Sequence, residues 1–312
     1  MLPQNTLEVK LVDLDERGKD RQWSERHRQG MALSAIYRSM GWIERWEQLS
    51  GCATYLEFAI TDGGRKMLHK ANFCRARMCP MCSWRRSRKI YGHVSAIMDA
   101  LHEQTQDRRY VLLTLTVRNC AADQLDSTLD KMFAAWRRLT ETKEFRQGVD
   151  GWYRALEVTV NPDKLTLHPH FHVILCTNVQ YWGRNYIKQA RWKELWARSM
   201  RIDYVPVVDV RRIKGDTARA VAEAAKYTVK PAELLDIPGD SLEEVLRQLD
   251  EAIAGRRLVA YGGVMRELHK QLNLDDDIDG DLVGATEPAE ADMVVTETYV
   301  FNAGFGYYVR DL

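Results

Sequence analysis

The chain has 312 residues, 45% of them hydrophobic, with 45 Lys and Arg balanced against 44 Asp and Glu. That is enough apolar sequence for one large domain or two smaller ones with real cores, and it excludes a disordered, fibrous or collagen-like chain. No run of about 18 apolar residues occurs, and Met1–Lys10 lacks the basic start and apolar stretch of a signal peptide, so a soluble cytoplasmic protein without a membrane partner is expected. The net charge of +1 speaks against a nucleic-acid binder only until it is mapped. Between Asn273 and Glu297 stand nine acids and no base, which leaves +10 for the rest of the chain, whereas Gly63–Met98 carries nine bases and no acid.

In chain order, residues 1–50 read as helices bearing Trp23, Trp42 and Trp46, with no chemistry of their own. Residues 51–92 form a basic, cysteine-rich module. Tyr110–Val117 is β-branched and apolar, a strand by composition, and Leu125–Phe145 repeats apolar residues at helical spacing. Trp152–Val160 and Leu167–Leu175 are strand-like runs joined by Asn-Pro-Asp-Lys, the signature of an antiparallel hairpin. A helix over Tyr186–Met200, a strand over Val205–Ile213 and a helix from Thr217 to Lys230, stopped by Pro231, follow. The order predicts an α+β fold with a ferredoxin-like βαββαβ sheet over residues 105–235. A helical region over 236–274, including a helix over Ser241–Ala254, and an acidic segment with an aromatic tail over 275–312 complete the division. The acidic stretch reads as a loop or linker.

Two constellations carry chemistry. Cys52, Cys74, Cys79 and Cys82, the last pair framing Cys-Pro-Met-Cys, have the spacing of a structural zinc site, with His69 as the alternative to Cys52. Around them Arg75, Arg77, Arg85, Arg86, Arg88 and Lys89 suit contacts to DNA phosphates, and Trp84 or Phe73 can either stack on a base or pack around the knuckle. Cys120 and Cys176 read as small core residues. In the hairpin, His168, His170 and His172 alternate onto one strand face and Phe171 onto the other. Folding about a turn centred between Asp163 and Lys164 sets Glu157 opposite His170. A His, His, Glu set with open positions suits Mg²⁺ or Mn²⁺, and His168 is third ligand, substrate contact or support. On the later helix, Glu223 and Tyr227 share a face, with Lys230 at the next turn. A Tyr on an Ala-rich helix is ordinarily a packing residue.

Taken together, Cys52…Cys74-x4-Cys79-Pro80-x-Cys82, the strand Leu113-Thr114-Leu115-Thr116, His-Pro-His-Phe-His and Glu223-x-x-Lys226-Tyr227-x-x-Lys230 resemble, in that order, the plasmid rolling-circle replication initiators, the single-tyrosine branch of the HUH endonucleases. The resemblance runs from about Cys52 to Lys230 and on into Gly255-Arg-Arg-Leu-Val-Ala-Tyr-Gly-Gly. It implies an HUH sheet and a metal-dependent nickase acting at a single-stranded or cruciform origin site. Tyr227 would be the nucleophile, His170 and His172 the ligands, Glu157 the third, and Glu223 the activator of water at termination. A 3′-OH left for a host polymerase and helicase follows from it. The rival readings are a transposase or relaxase of the same superfamily, for which a second catalytic tyrosine or fused helicase is not evident, and a non-catalytic zinc-dependent DNA-binding regulator.

Overall fold

A computed structural model of the chain describes residues 9–15, 17–105, 108–214, 217–225, 231–284 and 293–311. Its first elements are helices α1 (Trp23–Ser39) and α2 (Ile43–Ser50), strands β1 (Tyr55–Thr61) and β2 (Lys66–Ala71), and helix α3 (Pro80–Gln104). Strand β3 (Arg109–Thr116), helices α4 (Leu125–Thr140) and α5 (Lys143–Gly148), strands β4 (Val149–Asn161) and β5 (Thr166–Thr177), helix α6 (Gln189–Met200), strand β6 (Val208–Ile213) and helix α7 (Thr217–Ala224) follow. Last come α8 (Pro231–Leu234), α9 (Gly239–Ile253), β7 (Val259–Gly263), α10 (Val264–Gln271), β8 (Met293–Asn302) and β9 (Tyr307–Arg310). Among the described residues no helix is long and apolar enough to cross a membrane.

Two departures from the predicted elements have local causes. The single helix expected over Leu125–Phe145 breaks at Thr142, whose hydroxyl accepts a hydrogen bond from the Phe145 amide and so starts a new helix. The strand expected from Val205 begins at Val208, because Pro206 offers no amide to a ladder and Val205 and Val207 are left exposed. The expected continuation of α7 to Lys230 falls on residues 226–230, outside the described residues.

The chain packs as two compact units, Met1–Arg85 with Asp281–Leu312, and Arg86–Gly280. In the first, an antiparallel sheet of order β2-β1-β8-β9 is joined by α1. Trp23 anchors its core, edge-on to Phe58 and Trp84, with its indole N–H donated to Asp13 at 2.7 Å. Burying one large ring against two others contributes both area and edge-to-face attraction.

The second unit holds an antiparallel sheet of order β6-β3-β5-β4-β7. Leaving out β7, this is the 4-1-3-2 order of a βαββαβ sheet, so the predicted α+β, ferredoxin-like class is the one observed. Strand β5 lies at the centre and is buried along nearly its whole length. One face of the sheet is dry: Phe171 meets Phe133 and Trp136 of α4 and Trp196 of α6 at ring separations of 5.5, 6.2 and 6.1 Å. Arg154 is buried in the same layer, its guanidinium over Phe133 and Phe171 and bonded to the Arg257 carbonyl, and burial pulls its pKa down to about 9.

Strand β7 is held to the edge by a close fit, with Gly262 opposite Trp152. A Cβ there would stand 2.2 Å from the Trp152 ring. Gly262→Ala is therefore expected to cost about 1–3 kcal/mol through overpacking, read as a lowered melting temperature; an unchanged melting temperature would contradict this packing.

Candidate functional site

Both long hairpin strands are fixed by one turn. Asn161 pairs with Thr166, the Asn161 side-chain oxygen accepts the Lys164 amide at 2.9 Å, and Leu165 takes a left-handed conformation to close the loop. From that turn the ladder runs symmetrically, so that Glu157 faces His170 and Ala155 faces His172. Period two then puts Tyr153, Ala155, Glu157, His170 and His172 on one face and Phe171 on the other. Ala155 is small, which leaves the His172 ring free to lean along the strand toward Glu157.

The result is a three-residue convergence. Glu157 Oε2 lies 2.7 Å from His172 Nε2 and 3.2 Å from His170 Nε2, with all three residues buried. The other ring nitrogens are occupied. His170 Nδ1 lies 3.1 Å from the His168 carbonyl, an acceptor only, so that nitrogen carries the proton. His172 Nδ1 lies 3.4 Å from the Thr114 hydroxyl. Both Nε2 atoms thus face one carboxylate oxygen: protonated rings would donate to it, and neutral rings would share a cation with it. Burial by itself would raise the Glu157 carboxyl, but the hydrogen bonds and charge of His170 and His172 hold it well below the ordinary carboxylate range. An ionised carboxylate and two outward Nε2 atoms, each backed by a second bond on the far side of the ring, fit a divalent ion.

His168 shares the strand face but turns to Asn119, whose side-chain oxygen is 2.9 Å from its Nδ1, so Glu157 and not His168 joins the other two. Asn119 was not among the residues singled out from sequence, and Thr114 entered there only as part of the Leu113-Thr114-Leu115-Thr116 strand, with no role of its own. Thr114 had a legible signal, since pairing β3 with β5 sets it against His172; Asn119, in a loop, had none.

Helix α7 lies on this same face. The Tyr153 hydroxyl, one strand position pair from Ala155, donates to the Ala224 carbonyl at 3.2 Å. Glu223 is half-buried on α7. Tyr227 and Lys230 lie outside the described residues.

In the first unit the four cysteines meet as free thiols. Sulfur separations are 3.5 Å (Cys52 to Cys79), 3.6 Å (Cys52 to Cys82) and 3.7 Å (Cys74 to Cys82). A tetrahedron of Zn–S bonds of about 2.3 Å has edges of about 3.8 Å. Backbone amides of Cys74 and Arg75 donate to Cys52 and Cys82 sulfur at 3.4 and 3.3 Å, and Arg75 adopts φ 60° to aim its amide. His69 is exposed and 3.8 Å from Glu57, apart from this set.

The basic residues require a correction. Arg85, Arg86 and Lys89, expected to meet DNA, are each about 1% exposed. In the first unit Arg85 bonds the Leu282 and Val283 carbonyls. In the second, Arg86 bonds the Ile278 carbonyl, and Lys89 bonds Asp275 Oδ2 at 2.5 Å and the Asp276 carbonyl at 2.7 Å. A buried cation needs such partners, and the acidic stretch supplies them. That stretch is accordingly more than a linker. Arg75 is exposed and Arg77 and Arg88 half-buried, so these keep surface to offer. Trp84 packs, with Trp23 against its edge and Arg26 over its face.

A profile of the family described as "Replication protein" matches residues 65–306. The protein named "Protein rep" from Bacillus amyloliquefaciens is 38% identical over 89% of this chain and 89% of its own length. A "Protein rep" from a Bacillus species is 40% identical over 81% and 88%, and one from Streptococcus pneumoniae serotype 2 is 35% identical over 88% and 86%. No solved structure matches the chain.

Two outcomes are expected from these sites. Cys79→Ser with Cys82→Ser should lose one equivalent of zinc by elemental analysis, and retention of the full content would refute the four-cysteine site. Lys89→Met should destabilise the fold by about 2 kcal/mol and leave the salt dependence of DNA binding unchanged, whereas Arg75→Gln should lower the slope of log affinity against log salt by about one; the reverse pattern would restore Lys89 as a phosphate contact.

Proposed function

The chain belongs to the Replication protein family, and on that premise we propose that it initiates rolling-circle replication of a plasmid by nicking one DNA strand at the double-strand origin. The observation that carries this reading is the convergence of Glu157, His170 and His172 on one point, on the sheet face against which α7 lies.

Glu157, His170 and His172 would hold Mg²⁺ or Mn²⁺, which when bound would polarise the scissile phosphate and offset the charge developing on it. The chain's own residues do the rest. The Tyr227 phenol loses its proton to water and its oxygen attacks phosphorus in line; the bond from phosphorus to the tyrosine oxygen forms as the bond to the 3′ oxygen breaks. The leaving oxygen takes up a proton and becomes the 3′-OH from which a host polymerase extends, and a host helicase opens the duplex ahead. Because one phosphodiester is exchanged for another, little energy is lost, and a later 3′-OH can attack the phosphotyrosine to rejoin ends. Glu223, four residues before Tyr227 in the sequence, takes the proton of a water whose oxygen displaces the tyrosine oxygen from phosphorus to end a round, so that no second tyrosine is needed. Lys230, three residues after Tyr227 in the sequence, adds positive charge for the phosphate. His168, tied to Asn119 and offering its carbonyl to His170, keeps the His170 ring in the orientation that presents Nε2. The zinc knuckle with Arg75, Arg77 and Arg88 meets origin DNA through its phosphates.

The test is direct. Incubated with Mn²⁺ and single-stranded DNA spanning the origin, the wild-type protein should form a covalent adduct that survives denaturation, and Tyr227→Phe should form none. An adduct persisting in that variant would remove Tyr227 from the mechanism, and no adduct in either protein, with DNA still bound, would leave a binding regulator as the better reading.

A further inference from the structure

Another cluster lies within residues 86–280 and takes no part in the chemistry above. His93 on α3, His269 on α10 and Asp277 beyond it each present one ligand atom, all within 4.8 Å of one another. His93 Nδ1 is 2.7 Å from one Asp277 oxygen, while His269 Nε2 is 3.8 Å from the other, too far for a hydrogen bond and the right order of separation for two ligands of one ion. His269 Nε2 is buried and has no hydrogen-bond partner among the described residues, and the ring of Tyr261, whose hydroxyl faces Asp277, lies 4.7 Å from that of His269. A buried ring nitrogen left unbonded is costly, and a bound ion would relieve that cost. On the far side of the His93 ring, Asp275 stands 3.5 Å from Nε2, where a carboxylate commonly orients a ligating imidazole.

We propose that His93, His269 and Asp277 form a binding site for a divalent transition-metal ion, Zn²⁺ foremost, that pins residues 275–279 to α3 and α10. Two imidazoles and one carboxylate are a donor set that zinc and its first-row neighbours accept, and three protein ligands leave a position for water. The residues it would pin are those that cover Lys89 and Arg86. Gly280 closes that segment so tightly that a Cβ would meet Asp275, Asp276 and Lys89 at 2.2–2.3 Å, so the segment has one way to lie. The site also stands behind α7: the Tyr261 ring is 5.3 Å from that of Tyr153, whose hydroxyl donates to the Ala224 carbonyl of that helix. Its role is to position these segments, and it does not depend on the nicking chemistry.

The experiment compares zinc content, by elemental analysis after gel filtration, in the full-length wild type, in His93→Gln with His269→Gln, and in His170→Gln with His172→Gln. One equivalent should be missing from the first variant and present in the second. Equal zinc in the wild type and the first variant would overturn the proposal. As a measurement that needs no variant, amide hydrogen exchange over 275–279 in the wild type should slow about a hundredfold when free Zn²⁺ is a hundredfold above its Kd. Exchange there that is indifferent to Zn²⁺ would also overturn it.

Discussion

The pairing of β4 with β5 is the constraint on which the rest of the second unit depends. Side chains alternate along both strands, so one register decides at once which residues enter the aromatic layer under α4 and α6 and which face α7. A slip of one residue would drive His170 and His172 toward Phe133 and Trp136 and bring Phe171 out among polar groups. The hydrophobic core therefore enforces the geometry of the polar cluster without touching it. The turn adds a second lock, through the Asn161 side chain and the left-handed Leu165, and the small Ala155 supplies the space that the register leaves for an imidazole.

Charge burial is the second theme, and it is handled by three different means. Glu157 is kept ionised by two facing imidazoles. Arg154 lies over aromatic faces with a single carbonyl, at the cost of a depressed pKa. Arg85, Arg86 and Lys89 are met mainly by backbone carbonyls from a segment far along the chain. Carbonyls suit this purpose because they are supplied in fixed directions by a backbone already ordered by its own turn, here one in which Asp276 accepts the amides of Ile278 and Asp279.

What the sequence made legible follows from how local each signal is. The hairpin register could be read because a short turn fixes it by symmetry, and with it the facing of Glu157 and His170. The cysteine set was readable from spacing, and the geometry favours Cys52 over His69. The strand and helix order pointed to the sheet. The fate of the basic run was not readable, since a stretch of arginines looks the same whether water or distant carbonyls receive it; Arg86 and Lys89 find their partners near residue 277. The break at Thr142 is a local capping event too small to disturb helical periodicity over Leu125–Phe145. His93, His269 and Asp277 come from α3, α10 and a loop, with no spacing that links them. Position on the chain says nothing of such a meeting until the sheet has placed β7 beside β4.

The order of strands in the first sheet has a consequence for how the protein is made. Strand β1 is flanked by β2 and β8, and β8 is synthesised only after the whole of residues 86–280. The second unit is thus an insertion that can complete its own sheet while the chain is still on the ribosome, whereas the unit containing the four cysteines waits with one edge of β1 unpaired. During that interval the thiols have their local knuckle but not the finished sheet beside it. Closure of the first unit is long-range in sequence, and so it is the slower step by topology, which makes it the natural last event in folding.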